Sequence, residues 1–192
     1  MRRRIGAGLA AVMTLTVAAM AQTDPVPMMP EVPDDYPPVM GAVTATVGGR
    51  ALTWQTYDFS IGAFDASAWV GDTDDNVTLH IMAYPEGQPE KMEDRLHIVA
   101  EFGLFPSPGG PADTVLIEVL GEKDIDGRKL TSGTTPVVFT LEEFTRSSYA
   151  YGHARGRFEA TLCLKRSKTA QVSRKCQQIR GRFDTDIQFD NM

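Results

Sequence analysis

Arg155-Gly156-Arg157-Phe158-Glu159 and Arg180-Gly181-Arg182-Phe183-Asp184 carry the same five-residue chemistry 25 positions apart, with Cys163 after the first and Cys176 before the second. Chance or a duplicated strand would leave the echo without consequence. Antiparallel pairing gives it one: if Cys163 opposes Cys176, every opposed pair sums to 339. Gly156 then faces Phe183 and Phe158 faces Gly181, so each bare backbone position is covered by a ring from the other strand. On the opposite face Arg155 meets Asp184 and Glu159 meets Arg180. Ala160 beside Ile179 and Leu162 beside Gln177 extend the inner face, while both cysteines fall on the outer face with the charges. Only Arg157 against Arg182 opposes like charges, a small cost at a solvated surface. The reading predicts a long C-terminal hairpin over 152–165 and 175–189, closed by a Cys163–Cys176 disulfide.

Working back from this hairpin, the chain after residue 40 consists of short segments of period-two alternation broken by glycine, proline, aspartate or asparagine, the pattern of strands and turns. Leu79 and Ile81 alternate with Thr78, His80 and Met82; Leu96, Ile98, Ala100 and Phe102 alternate with Arg95, His97, Val99 and Glu101. Strands are expected near 42–48, 50–60, 64–70, 77–84, 95–104, 114–120 and 136–144, in addition to the two of the hairpin. No stretch has a sustained helical period, although 86–95 and 141–147 each have room for one turn. Eight or nine strands with short connections predict an all-β fold, an antiparallel β-sandwich over 41–192, with a closed β-barrel as the alternative.

The N-terminal residues have a different organisation. Arg2, Arg3 and Arg4 precede an apolar run from Ile5 to Met20, and Ala19 and Ala21 provide small residues for cleavage, so residues 1–21 read as a signal peptide with Gln22 as the mature N-terminus. The run is short for a membrane-spanning helix, which needs about 20 residues, and no anchor is expected after cleavage. Residues 22–40, with six prolines between Pro25 and Pro38, read as an extended linker, since proline neither donates to a sheet nor continues a helix. The expected location is the periplasm or the outside of the cell, an oxidising setting that suits the disulfide. Loss of Arg2, Arg3 and Arg4, three of the 19 basic residues, takes the formal net charge from −6 to −9. That balance argues against nucleic acid as a partner.

Several residue groups combine a structural reading with a chemical one. Lys165, Arg166, Lys168, Arg174 and Lys175 make the hairpin tip basic, as a solvated end first and as a site for an anionic partner second. Asp72, Asp74 and Asn76 space oxygen ligands as the start of a calcium loop does, but Val77 and Ala83 occupy the positions where that motif needs glycine and glutamate. If 77–84 and 95–104 pair with opposed residues summing to 177, His80 faces His97 with Met82 beside them; surface residues are the first reading, copper or zinc ligands the second. Trp54, Tyr57 and Phe59 read first as core aromatics and second, with Trp69, as a flat platform for a sugar ring. Trp69 shares a polar face with Asp65 and Ser67 and is the aromatic residue expected to be exposed for binding. No serine lies in an elbow or triad context and no cofactor motif is present, so no catalytic residue is assigned. A hydrolase whose residues converge from distant strands is the remaining alternative.

Two stretches carry a resemblance. Ala45-Thr46-Val47-Gly48-Gly49-Arg50 followed by a tryptophan strand, and Gly156-Arg157-Phe158-Glu159-Ala160-Thr161-Leu162-Cys163 near the end, resemble exported bacterial β-sandwich domains of unknown function across roughly residues 42–189. The resemblance implies a sandwich and brings no activity with it. The functional expectation is a non-catalytic binding or structural module of the cell envelope.

Overall fold

The computed structural model describes residues 37–60, 66–73, 76–103, 106–120, 128–133, 135–166 and 172–190. Residues 1–21, expected as a leader, and the expected linker as far as residue 36 lie outside them. Ten strands follow one another: β1 (Val39–Val47), β2 (Arg50–Tyr57), β3 (Ala68–Thr73), β4 (Asn76–Pro85), β5 (Leu96–Phe102), β6 (Thr114–Leu120), β7 (Arg128–Thr131), β8 (Val137–Arg146), β9 (Tyr151–Arg166) and β10 (Val172–Asp190). No helix occurs among the described residues: 86–95 is a run of turns, and the 141–147 stretch belongs largely to β8.

The strands hydrogen-bond as one continuous sheet that folds over into two layers. The first runs β2-β1-β10-β9-β8 and the second β3-β4-β5-β6-β7. They are joined where β10 meets β3 in parallel at Gln188–Trp69, where β7 meets β9, and where β2 touches β4 at Trp54–Pro85. The fold is therefore all-β and sandwich-like. The pairings β10–β3, β7–β9 and β9–β10 also close a circuit, β10-β3-β4-β5-β6-β7-β9, the feature the barrel alternative calls for; β8, which among the described residues pairs only with β9, lies outside that circuit as an edge.

β9 and β10 are long because they serve both layers: one part of β9 pairs with β8 and its last four residues with β7. Their mutual register is the one the sequence predicts, with Cys163 opposite Cys176, Phe158 opposite Gly181 and Gly156 opposite Phe183, and the disulfide is closed. Phe158 and Phe183 are buried in one core with Val43, Ile98, Ile117, Leu162 and Ile179. Phe139 of β8 packs against both Phe183, 5.7 Å away, and Phe102 of the second layer, 6.4 Å away, so aromatic rings connect the two layers.

The side chains correct three sequence expectations. Cys163 is buried while Cys176 is exposed, because Thr131 of β7 pairs beside Cys163 and covers it. Arg155 opposes Asp184 in register but bonds Glu143 of β8 at 3.1 Å, whereas Glu159 and Arg180 do form their ion pair at 2.8 Å. β4 and β5 pair with a sum of 179 and not 177, so His97 faces Met82 and His80 faces Val99. A shift of two residues keeps every side chain on its face and changes only its partner. β7 is a strand the sequence did not announce.

Candidate functional site

The two layers part at the end where the β1–β2 turn lies, leaving a cleft of about 390 Å³. One wall is a cross-strand apolar row in which Val119 pairs with Leu130 and Leu130 with Leu164. The other is Val47, Leu52 and Trp54 of β1 and β2. Strand periodicity explains the composition: these residues belong to inward-facing sets, and the cleft is the part of the interior that the layers do not close.

Trp54 is buried, and its indole N–H donates to the carbonyl of Asp94 at 2.7 Å. The Asp94 N–H in turn donates to the Leu120 carbonyl at 2.8 Å. Asp94 has a φ of 59°, the left-handed region that aspartate tolerates better than most residues. The 86–95 connection is thus fixed to β2 and β6 at its last turn, which sets one side of the mouth. Arg50, Lys91 and Lys129 line the same cleft against a single carboxylate, Asp94. Lys91 bonds Asp94 at 3.2 Å and Lys129 bonds Glu118 at 2.7 Å, while Arg50 has no ion pair among the described residues. An apolar hollow of this size with a few polar groups at its rim is the usual form of a small-molecule site.

The residues singled out from sequence are placed elsewhere. On the outer face of the second layer Trp69 lies flat on His80, ring centroids 4.5 Å apart and planes 3° from parallel, and His80 is 6.3 Å from His97. Trp69 therefore faces outward with one side of its ring occupied, and Ser67, expected beside it, is buried and accepts a hydrogen bond from the Tyr57 N–H. Burial holds both imidazoles below the ordinary histidine pKa. The charge of His97 adds to this at His80, and Glu118 partly opposes it at His97. His97 Nε2 is buried without a hydrogen-bond partner among the described residues. Glu118, itself buried on this outward face, accepts from Lys129 Nζ and from Thr131 Oγ1 at 2.9 Å. Among the described residues no three His, Cys, Asp or Glu side chains converge as a metal set.

Asp72 and Asn76 stand in opposite strands of the β3–β4 hairpin, and Asp74 lies outside the described residues. Of the basic tip, Lys165 is half-buried in β9 and Lys175 is exposed in β10. Arg166 and Arg174 are strand residues, and Lys168 lies outside the described residues. Tyr57 is core, as expected, and Phe59 is half-buried against it at 6.0 Å. His153 lies between two carboxylates, Nδ1 2.9 Å from Asp186 and Nε2 3.2 Å from Asp184. Its nitrogens are both occupied by aspartates, so it is not poised against a hydroxyl nucleophile. Sequence reasoning did not find the cleft, whose walls come from β1, β2, β6, β7 and β9. The signal available was limited to the tryptophan strand after Arg50. Comparison of the chain with family models, with curated proteins and with solved structures finds no match.

Proposed function

We propose that the chain is an exported, non-catalytic binding module of the cell envelope, and that its ligand has a compact apolar body and an anionic group. The observation that carries this reading is the cleft: apolar walls built on strands, a tryptophan fixed by its own hydrogen bond, and at the rim Arg50, without an ion pair among the described residues, beside Lys91 and Lys129, which carboxylates already bond. Walls on paired strands keep their geometry when a ligand enters, which limits the ordering cost of binding. The Cys163–Cys176 disulfide supports the export half of the proposal, since such bonds persist in oxidising compartments.

The test uses 8-anilinonaphthalene-1-sulfonate, an apolar anion, with Trp69→Phe protein so that Trp54 alone reports. Saturable dye binding with energy transfer from Trp54 is expected, and Leu52→Trp, which fills the cleft, should abolish saturation while leaving the far-ultraviolet dichroism unchanged. Equal dye binding by the filled variant would overturn the assignment. A second reading, a copper or zinc protein using His80, His97 and Met82, is favoured by the unpartnered His97 Nε2. Stoichiometric metal in purified protein, lost in His80→Ala/His97→Ala, would establish it in place of the first.

A further inference from the structure

The outer face of the first layer is built in cross-strand rows. In one, Thr53, Thr44, Arg182 and Arg157 follow one another across β2, β1, β10 and β9; in the next, Ala51, Thr46, Arg180 and Glu159 do the same. Short side chains on β1 and β2 beside long ones on β9 and β10 leave a groove of about 700 Å³, lined by all eight of these residues. The charges are unevenly matched. Arg180 is bonded to Glu159 at 2.8 Å and Arg157 to Glu142 at 3.0 Å, whereas Arg182 has no ion pair among the described residues, although it stands opposite Arg157. The hydroxyls of Thr44, Thr46 and Thr53 likewise make no hydrogen bond among the described residues.

We propose that this groove, which adjoins the end cleft through Leu52 and Thr53, is a second binding site for a sugar acid: a neutral, hydroxyl-rich body bearing a carboxylate that Arg182 receives beside Arg157. Guanidinium groups match a carboxylate with paired N–H donors, and an anion beside Arg182 gives it the partner that Glu142 already gives Arg157. The three threonines provide hydroxyl donors and acceptors, and their methyl groups provide apolar contact for the body of the ligand. A net charge of −6, or −9 without the leader, disfavours a long polyanion and leaves a single localised carboxylate as the better match.

Galacturonate, its neutral methyl ester and inorganic sulfate are titrated calorimetrically into the oxidised protein at low salt. Galacturonate should bind, the ester should not, and sulfate should bind at least tenfold more weakly. Arg182→Gln, at an exposed position with no ion pair among the described residues to lose, should weaken galacturonate at least tenfold at unchanged melting temperature. Thr44→Val should weaken it without affecting sulfate. Failure of galacturonate to bind, equal binding of the ester, or unchanged affinity in Arg182→Gln would overturn the site. Sulfate binding as tightly as galacturonate would overturn the sugar part of the proposal. Arg182 and Thr44 line the groove and not the cleft, so dye binding in the cleft should be unchanged in both variants and the two proposals fail separately.

Discussion

Replacing Gly181 with alanine tests the hairpin register and the core together. A Cβ at this position would lie 2.6 Å from Phe158 Cζ, 2.6 Å from Ala45 Cβ and 2.7 Å from the Thr44 carbonyl oxygen. Carbon atoms rest about 3.5–4.0 Å apart, so roughly 1 Å must open on three sides, one of them backbone, around a ring that is itself fully packed. Overpacking of this kind costs about 1–3 kcal/mol or more. Against it stands a gain of about 0.4–1 kcal/mol from the unfolded chain, which loses freedom when glycine becomes alanine. The net expectation is a loss of about 0.5–2.5 kcal/mol. Gly71 in β3 is the control: nothing lies within 4 Å of its built Cβ, so Gly71→Ala should be neutral or stabilising by up to about 1 kcal/mol. Phe158→Leu added to Gly181→Ala should restore part of the loss and not all, because Ala45 and the Thr44 carbonyl remain. Urea unfolding of oxidised protein, followed by tryptophan fluorescence, measures the three variants beside wild type. If Gly181→Ala is as stable as wild type, the ring does not cover the glycine and the packing argument is refuted.

Replacing Cys163 and Cys176 with serine should lower stability by about 3 kcal/mol without changing the fold, since the bridge restrains a short loop in the unfolded chain; a difference under about 0.5 kcal/mol would mean that the paired strands alone supply that restraint. Because His80 and His97 titrate lower in the folded protein than the ordinary value of about 6.5, the unfolded chain takes up protons first as pH falls. Melting temperature should therefore hold steady above that pH and fall below it until the folded pKa values are passed, and His80→Asn/His97→Asn should flatten that decline. An unchanged pH slope in the double variant would locate the titration elsewhere. Protein recovered from an exporting bacterial host should begin at Gln22 or within a residue or two; N-terminal sequencing that finds Met1 retained would contradict the leader.

The hairpin was legible because unrelated requirements agreed on one register: a disulfide needs opposed cysteines, bare glycines need rings, and charges need partners. Where a single requirement acted, the sequence was less informative. The turn region between β4 and β5 is too long to fix register, and both sums keep His80 and His97 outward, so alternation could not distinguish 177 from 179. Arg128-Lys129-Leu130-Thr131 has one apolar residue and becomes β7 because β6 and β9 offer hydrogen bonds on both sides. Arg155 exchanges its expected partner for β8 because the irregularity between Leu141 and Glu143 brings Glu142 and Glu143 within its reach. The end cleft depends on where two layers separate, a long-range property that no local pattern encodes.

Strand periodicity makes the core and the outer groove consequences of one register. Burying Phe158 over Gly181 and Phe183 over Gly156 forces residues 155, 157 and 159 to the outer face, opposite 184, 182 and 180. Two of the three resulting rows oppose unlike charges, Arg155 with Asp184 and Glu159 with Arg180. The middle row opposes Arg157 and Arg182. A single acidic residue at either position would have removed that repulsion without touching the core, because outward side chains on a strand do not share its packing. The fold therefore does not require two arginines there. The same row continues into Thr44 and Thr53, the short residues that open the groove, so the unmatched guanidinium and the space beside it occur at one place. Glu142 already bonds Arg157, so Arg182 is the guanidinium that the groove leaves for a ligand's carboxylate.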